Sequence, residues 1–121
     1  MTAVVESGNL IRGLRWELYL SATAALGDAE GIHYILLVPS KGSGPGDNFY
    51  RREELERDER KELLILADEI GERKSKELLR PGYYRLMVNG STAATRDHFH
   101  IHIVVGRQGA TFRKCTDSII A

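Results

Sequence analysis

Between His98 and Val105 the chain reads His-Phe-His-Ile-His-Ile-Val-Val, so that three of its four histidines alternate with apolar residues. Side chains on a β-strand point to opposite faces with a period of two. The run therefore predicts a strand with His98, His100 and His102 in one row and Phe99, Ile101 and Ile103 on the reverse face, in a core. Histidine has the unperturbed pKa closest to neutrality, so a rigid row of imidazoles can supply a nucleophile, an acid and a phosphate contact. His-x-His on a strand is also a common zinc or iron ligand pair, and the three residues by themselves leave nucleophile and metal ligand both open. A purely structural row is the weakest use, because each buried imidazole needs a hydrogen-bond partner.

The remaining chain supplies what such a strand would pair with. Residues 1–9 read as a short mobile leader. From Leu14 to Ala25, Leu14, Trp16, Leu18, Tyr19, Leu20 and Thr23 suggest a strand, broken by turn chemistry at Gly27-Asp28-Ala29-Glu30-Gly31. Ile32 to Val38 is a nearly continuous apolar run, as expected of a central strand, and the two strands read as an antiparallel hairpin. His33 reads as a strand-start residue and Trp16 as core.

Ser40-Lys41-Gly42-Ser43-Gly44-Pro45-Gly46 lacks the Gly-Lys-Ser/Thr ending of a phosphate loop and reads as a plain loop. A long helix is predicted from about Arg51 to Leu79, with Leu55, Leu63, Leu66, Ala67 and Ile70 as its apolar stripe. Glu53/Arg57, Glu56/Arg60, Glu69/Arg73 and Glu72/Lys76 place acid before base four residues apart, the stabilising orientation on a solvated face. Pro81-Gly82 ends it. Strands at Tyr83–Asn89 and about Asp97–Val105 come next, and residues 109–121 form a C-terminal tail. The order β-β-α-β-β argues for a single α+β domain over 1–121, an antiparallel sheet with a long helix on one face.

Composition narrows the partners. Lys+Arg and Asp+Glu both number 17, so no large electrostatic footprint for a nucleic-acid polymer is implied. Cys115 is the single cysteine, which excludes an intramolecular disulfide and fits a reducing compartment. No stretch approaches the roughly 18 apolar residues of a membrane span. The expected address is cytoplasmic.

The pattern His-φ-His-φ-His-φ-φ, with φ apolar, resembles the signature of the histidine triad (HIT) family, here complete through Ile103 and Val104. Gly82-Tyr83-Tyr84-Arg85-Leu86-Met87-Val88-Asn89-Gly90 resembles the strand and Asn-Gly turn that precede the triad in that family. Ile35-Leu36-Leu37-Val38-Pro39-Ser40-Lys41 is similar to its "hLVIPK" strand, and Gly106-Arg107-Gln108 to its Hint-like branch. The resemblance spans residues 30–108. It implies a HIT-like fold, with a five-stranded antiparallel sheet and one long helix, in a homodimer whose sheets join edge to edge. It also implies a hydrolase or transferase that attacks the α-phosphorus of a nucleotide amide, ester or anhydride, a purine nucleoside monophosphate derivative above all, without a cofactor or metal.

Under that resemblance His100 is the nucleophile, His102 contacts phosphate oxygens and His98 is an orienting residue. Asn89 matches a family asparagine near the phosphate and leaving group, and Thr95 a family hydroxyl in the same region. The chain departs from the family in several places. The loop between Asn89 and His98 is shorter than usual, and Ala93-Ala94 stand where Gly-Gln is common. The family's ribose-gripping acid is represented only by Asp28, with Leu26 at the ungapped position. Tyr34 stands where many members have histidine. Two other functions remain open: a nucleotide-binding protein of the same fold with little or no turnover, and a metal-binding His-x-His protein.

Overall fold

The alternation around Ile101 becomes the centre of a sheet. The computed structural model describes residues 4–26, 29–40, 49–79, 81–88 and 98–106. Among these are β1 (Val4–Asn9), β2 (Arg15–Leu26), β3 (Ala29–Leu37), α1 (Arg57–Glu77), β4 (Tyr84–Met87) and β5 (His100–Gly106). The strands form one five-stranded sheet in the order β1-β2-β3-β5-β4, with every neighbouring pair antiparallel. This is an α+β architecture, and β5 is covered by hydrogen-bonded strands on both sides.

One face of the sheet is the core. Phe99, Ile101, Ile103 and Val105 are buried with Tyr34 and Leu36 of β3, Leu18 of β2, and Leu63, Ala67 and Ile70 of α1. The spacing of Leu63, Ala67 and Ile70 keeps them on one helical stripe, which is why the helix lies on this face and no other. Trp16 packs at the rim of the same cluster, where Gly8 of β1 lets it in: a Cβ on Gly8 would stand 2.7 Å from the indole ring. Among the described residues no helix is long and apolar enough to cross a membrane.

Three sequence expectations need correction. Val4–Asn9, expected within a leader, is the edge strand β1, because Glu6 on its inner side binds Arg73 of α1 through both carboxylate oxygens at 2.7 and 2.9 Å, with Lys74 at 3.1 Å. Ala29, Glu30 and Gly31, expected in a turn, belong to β3, whose ladder with β2 continues to Leu26↔Ala29. The helix begins at Arg57 rather than near Arg51. A separate 3-10 turn, Arg52–Glu54, comes first, and the Glu56 N–H is then taken by the Glu59 carboxylate at 2.8 Å, the back-bond of a capping box. Glu53 therefore lies outside the helix. Arg60 turns to the Arg52 and Leu55 carbonyls, and Arg73 to Glu6, while Glu72–Lys76 forms as expected at 3.8 Å. The tail 109–121 lies outside the described residues.

At its far end α1 is tied to the strand after it. The buried Ser75 hydroxyl donates to the Glu72 carbonyl at 2.9 Å and accepts the Gly82 N–H at 3.0 Å. Gly82 has φ +79°, a conformation that favours glycine. Gly71 lets Tyr84 of β4 come so close to the helix that a Cβ there would fall inside the ring.

Candidate functional site

The face of the sheet away from α1 carries the histidines. His100 stands opposite Leu37, and His102 stands opposite Ile35 on one side and Met87 on the other. Because side chains alternate, His100, His102 and Val104 share this face with His33, Ile35 and Leu37 of β3 and with Glu17 and Tyr19 of β2. His33 lies opposite Val104, which makes His102 its diagonal neighbour across the strand pair.

The expectation that His33 is only a strand-start residue is thereby overturned. Its Nε2 is 2.7 Å from Nδ1 of His102, and the two rings lie 4.9 Å apart at 37°. His102 and His100 are 4.8 Å apart and perpendicular, and His100 and His98 are 5.6 Å apart at 66°. All four histidines of the chain thus form one file. The signal for His33 was in the sequence only as a histidine in an apolar run. Its partner depends on the β3–β5 register, which one strand's pattern does not reveal.

His98 departs from expectation in a different way. It is not part of β5 but forms an isolated bridge with Arg51, two residues before the strand starts. Its imidazole packs against Phe49 at 5.1 Å, and Phe49 meets the edge of Tyr19 at 6.1 Å and 82°. Phe49 went unremarked in the sequence, where it comes after a glycine-rich loop and belongs to no periodic pattern.

The backbone of His98 has a definite chemical consequence. Its carbonyl lies 3.0 Å from Nδ1 of His100. A carbonyl can only accept, so Nδ1 of His100 carries the hydrogen, and in the neutral ring Nε2 keeps its lone pair. His100 is buried, at 7% exposure. Burial first, and then the neighbouring His33 and His100, push His102 down to about 4, and burial with His100 nearby lowers His33 as well. The His33–His102 pair is therefore neutral at pH 7, with one hydrogen between the facing nitrogens. Farther along the face, the Tyr19 hydroxyl donates to Glu17 at 2.7 Å, and burial with that bond pushes the phenol up to about 12.

The expected substrate contacts Asn89, Thr95 and Asp28 lie outside the described residues, as do Ala93 and Ala94. Among the described residues no group of three or more His, Cys, Asp or Glu is arranged to hold a metal ion. Fold and face together define an α+β protein with a four-histidine file on the side of its sheet away from α1. No family model, no curated protein and no solved structure matches the chain.

Proposed function

We propose that this chain has a HIT-like fold and is a Hint-like nucleotide hydrolase or transferase working through a covalent nucleotidyl-His100 intermediate. The observation that carries the reading is the bond from Nδ1–H of His100 to the His98 carbonyl, which leaves Nε2 as the attacking atom. In the first step the Nε2 lone pair forms a bond to the α-phosphorus, and the bond to the leaving group breaks with its electron pair going to that group. In the second, water attacks phosphorus and gives up a proton to solvent, balancing the one the leaving group takes up, while the P–N bond breaks, the pair returns to Nε2, and a nucleoside monophosphate departs. We assign the hydrogen between His33 Nε2 and His102 Nδ1 to His33, so that the Nε2 of His102 bears a hydrogen and donates to a phosphate oxygen. Asn89 and Thr95 are proposed as further phosphate and leaving-group contacts, and Asp28 as the ribose anchor.

The His33–His102 bond also weighs against the metal reading, since two nitrogens aimed at each other do not converge on a common ion. The low exposure of His100 favours the second reading, a nucleotide-binding protein with little turnover. A cytoplasmic homodimer, joined sheet edge to sheet edge, completes the proposal.

The test is an alkaline quench of the protein with adenosine 5′-phosphoramidate, followed by mass analysis. Alkali preserves phosphoramidate bonds to histidine. The proposal expects an adduct on His100 that is absent from His100→Ala, and a kcat lowered by about three orders of magnitude or more with affinity little changed. An adduct on His100→Ala overturns the assignment. Activity lost with EDTA and restored by zinc overturns the metal-free mechanism. Tight nucleotide binding without adduct or turnover selects the second reading.

A further inference from the structure

The segment just ahead of the helix reaches into the site from outside it. Direct pairing of β3 with β5 ends at Leu37↔His100. Beyond that point residues 49–51 lie between the two chains. Phe49 bridges Pro39, and the Tyr50 N–H donates to the Val38 carbonyl at 2.8 Å. On the other side the Tyr50 carbonyl accepts the Phe99 N–H at 3.0 Å, and Arg51 bridges His98. The segment is anchored in turn to the 3-10 turn, where the Arg51 N–H donates to the Glu54 carboxylate at 2.8 Å.

What this segment grips is the peptide that fixes His100. The His98 carbonyl is the acceptor for Nδ1–H of His100, and that peptide lies outside β5, so the ladder with β3 does not hold it. Its position is set instead by the Arg51 bridge, by the adjoining Phe99 N–H bond, and by the Phe49 ring against the His98 imidazole at 5.1 Å. Tyr19 backs the Phe49 ring edge-on from β2. We propose that residues 49–51 are a positioning strap that holds the His98 carbonyl in place and so fixes the Nδ1–H tautomer of His100, with Phe49 as its side-chain anchor. The kinetic consequence rests on His100 being the nucleophile. The tautomer is a property of the free protein and does not.

Nitrogen-15 NMR of the histidine rings, recorded without substrate, reads the tautomer directly. In the wild-type protein His100 should be the Nδ1–H form. Phe49→Leu should convert it to a mixture of the two neutral tautomers, and Phe49→Tyr should leave it unchanged. Glu54→Ala, at an exposed position, should give a smaller shift of the same sign, and it carries the test if Phe49→Leu does not fold. With a nucleotide phosphoramidate, Phe49→Leu should lower kcat about tenfold with KM changed less than about twofold. A shifted tautomer in a protein whose wild type turns over no nucleotide amide upholds the strap and removes the nucleophile. An unaltered His100 tautomer in folded Phe49→Leu, or in Glu54→Ala if the former does not fold, overturns the strap.

Discussion

A hydrogen shared between His33 and His102 makes each ring the other's environment. The pair is neutral first because burial disfavours a charge on either ring, and then because His33 and His100 lie close to His102 and His100 close to His33. Removing one partner should therefore release the other. In His33→Ala the titration midpoint of His102, followed by the NMR shift of its ring proton, should rise from about 4 toward the ordinary 6.5, because a lowering neighbour is gone and water enters. A midpoint that stays near 4 would mean that burial by other groups dominates. The row of His100 and His102 was legible because alternation with Phe99, Ile101 and Ile103 fixes which face each side chain takes. His33 was not, since Ile32–Val38 is apolar on both faces and its period carries no sign. His98 was placed one element too deep, because a sequence pattern has no marker for the residue at which a ladder stops and a bridge begins.

At the scale of elements, close approach and end-tying decide more than propensity. Helix and edge strand meet where Gly71 faces Tyr84, and any Cβ there collides with the ring. Gly71→Ala gains helix propensity but forces overpacking, which costs about 1–3 kcal/mol. Urea unfolding should show a net loss, and a net gain would mean that the Tyr84 ring swings aside freely. Ser75→Ala removes the acceptor for the Gly82 N–H inside the protein and should cost about 1–2 kcal/mol by the same measurement. The helix's existence and its buried stripe were legible from the spacing of Leu63, Ala67 and Ile70. Its start was not, because Arg51–Glu56 is as helix-favouring in composition as the first turns of α1. The 3-10 turn wins there because Glu54 and Glu59 bend back to cap backbone N–H groups. Edge strand β1 was hidden for a related reason: Glu6 points inward, a charge where alternation expects an apolar residue, and only Arg73 and Lys74 of α1 make sense of it.

For the molecule as a whole, the neutral imidazole pair links folding to acidity. His102 is held at about 4, whereas an unfolded chain takes up that proton near 6.5. Between those values the unfolded state binds more protons, so stability is full above about 6.5 and falls as the pH drops toward 4. Lowering of His33 acts in the same direction. Glu6 is separable, since Arg73 holds its carboxyl below 4.5 and its contribution is lost only at more acid pH. The melting temperature should therefore decline between about pH 7 and pH 5, and His102→Gln should flatten that decline. An equal slope in the variant would assign it to other groups.

The placement of β5 has a consequence for how the molecule comes into being. The strand bearing His100 and His102 comes after all the other strands along the described chain, yet it sits between β3 and β4 in the sheet. As the chain leaves the ribosome, β1, β2, β3 and α1 emerge with one flank of β3 unpaired, and β4 has no neighbour until residues 100–106 arrive. Those residues must pair with both, and pairing with β3 closes a long loop, which is a slow kind of step. Histidine file and finished sheet are then completed in the same event, so a nascent or nicked chain short of β5 lacks both His100 and His102 and leaves strand edges bare, with which to aggregate.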